Sequence, residues 1–211
     1  MNTRLIPLFL ILLLALPPGA ARSQGRPIPK PPYVAPLPAS GHWQIRFKKR
    51  DDGGSVPAPP PAPATDPVTM DFIKVGPFLR ATVTYADGHV QQNDLYGNVL
   101  LDRTESGWHR SQIDLQLPPY PYFSGGFVLT DWLGPDTFKE GARYGSAEAF
   151  HYLSDDREAW IAAGTGLPLA VRKGNAEGVY RFLDAPTGLP PCPPEEVDLI
   201  RALESPIQPA P

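Results

Sequence analysis

The sequence predicts a mainly β protein: a curved antiparallel sheet that carries an aromatic loop, ends in one short helix and is flanked by proline-rich disordered arms. Three observations predict it. Phe78 to Tyr85 sets Leu79, Ala81, Val83 and Tyr85 on one face and Arg80, Thr82 and Thr84 on the other, the period of a half-buried strand. Turn dipeptides (Asp87-Gly88, Gly97-Asn98, Ser106-Gly107) recur at roughly ten-residue intervals, which favours successive hairpins over parallel βαβ units. Only Pro194 to Glu204 has helical spacing, with Val197, Ile200 and Leu203 three apart behind an acidic start.

The elements follow in order. Met1 to Arg4 make a positive start, Leu5 to Leu16 an apolar run too short for a bilayer, and Pro17 to Ser23 a small-residue exit. Residues 1–23 therefore read as a secretory signal peptide, and the chain is expected to be exported, periplasmic or secreted, with no later transmembrane segment. Of 29 prolines, fourteen lie in 17–67, eight in 186–211 and six in 68–185. That distribution outlines a disordered arm at 24–40, a β domain at 41–184 interrupted by a proline-rich loop at 51–67, and a tail at 185–211 carrying the short helix. Within the domain, strands are expected at His42–Lys48, Val68–Val75, Phe78–Tyr85, His89–Tyr96, Val99–Arg103 and Trp108–Leu117. Residues 118–138 contain Tyr120, Tyr122, Phe123, Phe127, Trp132 and Phe138; a loop this aromatic is expected to cover an end or face of the sheet. A second meander follows at Ala147–Leu153, Arg157–Ala162, Leu167–Lys173 and Gly178–Leu183. Gly164-Thr165-Gly166 reads as a hairpin turn, because strand text rather than a helix comes after it.

Several chemistries are excluded. Cys192 is the single cysteine and has neither a CxxC partner nor a nearby histidine. His42, His89, His109 and His151 lie on separate strands without metal-ligand spacing, and Ser124 and Ser146 lack a nucleophile elbow. Asp155, Asp156 and Glu158 resemble a carboxylate cluster, but Asp155-Asp156 reads as a turn. Arg46, Lys48, Lys49 and Arg50 are followed at once by Asp51 and Asp52, in a chain of net charge −3, so no nucleic-acid partner is expected. No enzyme activity and no cofactor are expected, and the protein is expected to be a monomer.

Two stretches, "GPFLRATVTYADGHVQQNDLYGNVLL" and "FHYLSDDREAWIAAGTGLPLAVRKGNAEGVYRFL", resemble the scaffold of the LolA/LolB-type outer-membrane lipoprotein carriers. The resemblance covers roughly residues 68–184 and rests on the hairpin succession plus Trp160-Ile161, Thr165-Gly166 and Leu167-Pro168. It implies an open half-barrel whose concave side holds acyl chains. The carriers begin with a long amphipathic helix that packs into the barrel; the proline-rich segment here cannot be helical, and loop 118–138 is expected to replace it.

Large apolar side chains remain unassigned. Trp43, Phe47, Phe78, Tyr180 and nine cavity candidates, Phe72, Tyr85, Trp108, Phe127, Trp132, Phe150, Tyr152, Trp160 and Phe182, either fill a closed core or line a cavity. The corresponding functions are binding or shielding of a lipid or acyl chain, or docking of another envelope protein by a module with a filled core.

Overall fold

Alternating apolar and polar residues, cut at intervals by glycine turns, build eleven strands in the computed structural model, which describes residues 29–49, 66–104, 107–112 and 126–204. The strands are β1 (Ser40–Lys49), β2 (Pro67–Val75), β3 (Phe78–Tyr85), β4 (Val90–Tyr96), β5 (Val99–Thr104), β6 (Gly107–Gln112), β7 (Phe138–Tyr144), β8 (Ala147–Ser154), β9 (Arg157–Ala162), β10 (Pro168–Lys173) and β11 (Ala176–Leu183); helix α1 is Pro194–Glu204. They form one antiparallel sheet in the order β6-β5-β4-β3-β2-β1-β11-β10-β9-β8-β7. Two meanders are thus joined through β1 and β11, where Trp43 faces Phe182 and Ile45 faces Tyr180. The sheet does not close, since β6 and β7 stand at opposite ends of that order. Gly97 and Gly174 turn at φ 63° and 55°, a region open to glycine without steric cost.

The register assigns each side chain to a face. The inner, concave face carries Trp43, Ile45, Met70, Phe72, Leu79, Ala81, Val83, Leu95, Leu100, Tyr152, Ala159, Ile161, Val171 and Tyr180, one buried cluster drawn from both meanders. Gly178 belongs to it for steric reasons. A Cβ there would lie 2.9 Å from Ile45 Cγ2 and 3.0 Å from Phe47 Cε1. Gly178→Val is expected to lower stability by about 1–3 kcal/mol through overpacking, read from the midpoint of urea unfolding.

The outer face is covered at one end by α1. Phe78, Leu101 and Ile200 form its core, with Trp108, Leu199 and Leu203 packed around them. Buried with them is a charged group. The Arg80 guanidinium donates through Nε and Nη2 to the two oxygens of Asp94 at 2.7 and 2.8 Å, to both oxygens of Glu196 at 3.2 Å, and through Nη1 to the Pro191 carbonyl at 2.8 Å. Burial disfavours the guanidinium's charge, but Asp94, beside it, holds its pKa above the ordinary value. The Glu196 carboxyl is pushed up to about 7 by burial and by Asp94, with Arg80 opposing.

Some expectations are corrected. Alternation predicts no strand at Phe138–Tyr144, yet β7 pairs with β8 over that span, as an edge strand whose Lys139, Glu140 and Arg143 discourage further pairing. The arm expected to be disordered is ordered from residue 29: Tyr33, Val34 and Leu37 pack on the inner cluster. Helix α1 has the bounds expected of it. The expected signal peptide at 1–23, the expected arm at 24–28, most of loop 51–67, the expected continuation of β6 to Leu117, residues 118–125 with Tyr120, Tyr122 and Phe123, and the tail beyond 204 lie outside the described residues. Among the described residues no helix is long and apolar enough to cross a membrane.

Candidate functional site

The inner face is occupied by the chain's own loop. Phe127 and Val128, 1% and 2% exposed, sit against the sheet. The Phe127 ring meets Trp43 at 5.4 Å, Phe182 at 5.6 Å and Tyr180 at 6.2 Å, all edge to face, while Trp43 stacks on Phe72 at 5.4 Å. Hydrogen bonds hold the loop: the Tyr180 hydroxyl donates to the Val128 carbonyl, Thr130 Oγ1 to the Phe127 carbonyl at 2.6 Å, and Trp132 Nε1 to the Leu129 carbonyl at 2.8 Å. Leu129 adopts φ 65°, a left-handed conformation that costs a non-glycine residue about 1–3 kcal/mol. Tyr180→Phe leaves the Val128 carbonyl without this donor and is expected to cost about 1–3 kcal/mol, with faster amide exchange through residues 127–130.

The proline-rich arm crosses the same face. Tyr33 meets Tyr152 edge to face at 6.5 Å, and Ala35 N–H donates to the Gly166 carbonyl at 2.7 Å. Gly166 has φ 70°, and a Cβ there would stand 3.3 Å from Ala35 N. The Gly-Thr-Gly segment is therefore a β9–β10 turn, as expected, and also the seat of the arm.

A cavity of about 170 Å³ remains under the loop, floored by Phe47, Val171, Ala176 and Gly178 and walled by Leu129 and Trp132. Two polar atoms of the inner face, Trp43 Nε1 and Tyr152 Oη, are buried without a hydrogen-bond partner among the described residues. Burial, aided by neighbouring Tyr33, pushes the Tyr152 hydroxyl up to about 12, and burial alone raises that of Tyr180. Both remain protonated donors at neutral pH.

The nine candidate residues divide. Phe72, Phe127 and Tyr152 are buried in the inner cluster, and Tyr85, Trp132 and Phe150 pack against it. Phe182 joins them through Phe127 and remains 38% exposed. Trp108 and Trp160 are corrections: both point to the outer face. Trp108 pairs across β5–β6 on the side of Leu101 and packs in the α1 cluster. Trp160 faces outward because its neighbours Ala159 and Ile161 face inward. It stacks on His151 at 4.9 Å, lies 4.8 Å from the Arg172 guanidinium and touches Tyr144 at 5.4 Å. Ion pairs surround it, Arg172 with Glu158 at 3.0 Å and Glu177 at 3.4 Å, and Lys48 with Glu177 at 2.9 Å. Burial raises the Glu177 pKa, but hydrogen bonds from Lys48 and Tyr144 outweigh it and hold the carboxyl below its ordinary value.

Of the nine, only Trp132 lines the cavity. Phe47, named from the sequence only among the unassigned large apolar residues, also lines it, as do Leu129, Val171, Ala176 and Gly178, and none of these five is among the nine. The parity of β1 is a signal for Phe47, which shares a face with Trp43 and Ile45; no local signal marks Gly178.

His42 is tied to Asp71 at 2.7 Å, His89 is exposed beside Tyr85, and among the described residues no group of three or more His, Cys, Asp or Glu is placed to hold a metal ion. Asp155 has φ 42°, in keeping with the turn reading, and Glu158 pairs with Arg172.

No protein-family model matches the chain, and no curated protein matches it.

Proposed function

We propose that this chain is an exported, non-enzymatic protein that binds or shields an apolar ligand, a lipid or acyl chain, on the concave face of its sheet, and that its scaffold is related to the LolA/LolB-type carriers. One observation carries the reading: among the described residues, a continuous apolar face running through both meanders is covered by a short loop and an arm rather than by a second layer of secondary structure. The loop is held at a conformational cost at Leu129, and two buried polar atoms beneath the cover lack partners among the described residues, each worth about 1–3 kcal/mol. A cover with those defects is suited to displacement. An apolar cavity on the order of 150 Å³ holds a benzene-sized ligand, so the 170 Å³ beneath the loop is an entry point, and a longer chain has to lift Phe127 and Leu129.

The alternative, an envelope interaction module with a filled core, draws on the burial of Phe127 itself. Native mass spectrometry of protein purified from its own envelope separates the two. The carrier reading expects a lipid-sized adduct and saturable binding of acyl-chain probes; a ligand-free mass together with no probe binding sinks it.

A further inference from the structure

We infer that the ligand taken under this loop is a single-chain amphiphile with an anionic head, a long-chain carboxylate, its tail against Val171 and Trp132 and its head at the cavity mouth. This rests on the reading of the inner face as a ligand site and adds the head group to it.

Charge at the mouth decides the sign. Arg157 of β9 and Lys173 of β10 face each other in the sheet register and both line the cavity; Asp131, on the loop, is the carboxylate among the lining residues. The two cations are weakly engaged. Arg157 has only the exposed Asp156 carboxylate at 4.0 Å, and Lys173 takes part in no ion pair among the described residues. Arg172, next to Lys173 in β10, also borders the cavity, but its guanidinium is committed to Glu158, Glu177 and the Trp160 ring. The mouth therefore presents two uncommitted cations against one carboxylate, directly above an apolar floor. The cavity of about 170 Å³ favours one tail over two, because a tail that lifts the loop at Phe127 and Leu129 still meets Tyr33 of the arm packed on the inner face.

The test uses the full chain and two probes, a fluorescent polyene fatty acid and its methyl ester, which share a tail and differ in head charge. The acid is expected to bind about tenfold more tightly than the ester, each exposed cation contributing a factor of roughly two to five. Added salt narrows the ratio. The double variant Arg157→Glu with Lys173→Glu, both at exposed positions and checked for an unchanged unfolding midpoint, is expected to abolish the preference while leaving ester affinity in place. Equal binding of acid and ester to the wild-type chain, or a preference that survives charge reversal, overturns the anionic head and leaves the ligand site standing. Binding of neither probe overturns both.

Discussion

Glu196→Gln is expected to flatten a fall in stability of about 3 kcal/mol that the wild-type protein undergoes between acid and mildly alkaline pH. The Glu196 side chain is fully buried, and its carboxyl, ordinarily near 4.5, is pushed up to about 7 by burial and by Asp94. Below 4.5 the folded and unfolded chains both hold the proton, and the contribution is complete. Between 4.5 and 7 the unfolded chain releases it while the folded chain keeps it, so stability falls as pH rises. Above 7 the loss is complete, on the order of 3 kcal/mol. Two carboxylates then share one buried guanidinium, and α1 bears the repulsion because Glu196 lies on it. The glutamine amide keeps the shape and the neutral state. Urea unfolding of both proteins across this pH range, with the difference between the curves as the readout, isolates this group from Glu177, whose lowered pKa contributes in the opposite sense, favouring stability as pH rises through the acid range. Parallel curves would remove Glu196 as the titrating group.

Phe127→Ala is expected to cost about 3–5 kcal/mol, the range for removing a buried phenylalanine. The ring contacts Trp43, Tyr180 and Phe182, and its loss enlarges the space on the inner face where it stood. The two functional readings diverge on how the enlarged space behaves. For a displaceable plug, the variant binds a neutral acyl-chain probe more tightly than wild type, and the probe restores stability in a concentration-dependent way, about 2.7 kcal/mol at a hundredfold excess over Kd. For a filled core, thermal denaturation midpoints of the variant do not respond to the probe. That second result would falsify the plug.

Most of the strand pattern is legible in the sequence. β3 and β9 have the bounds expected from alternation, and most others differ by one or two residues at an end, since a turn glycine or Asp punctuates each hairpin. β7 was not legible. FKEGARY has no apolar alternation, being an edge strand with its charged residues turned to solvent, and its pairing is set by β8. Parity also misled at Trp160-Ile161, where two large side chains are adjacent and one must face outward; Ile161 takes the core, and Trp160 finds His151 and Arg172 instead. Arg80 is a related case. As the polar residue of an alternating strand it reads as solvated, and α1, far along the chain, buries it.

What the sequence by itself determined is the local part: strand periods, turn positions, the span of α1 and the aromatic content of loop 118–138, because these depend on side-chain pattern and backbone freedom over a few residues. Tertiary structure alone decided which face of each strand became the inner one, that Phe127 fills it, that Ala35 docks on Gly166, and that Arg80, Asp94 and Glu196 meet beneath a helix. Each of these brings together residues distant in the chain. Their energies arise from burial and charge pairing that exist only once the sheet has curved, and no short window of sequence contains both partners.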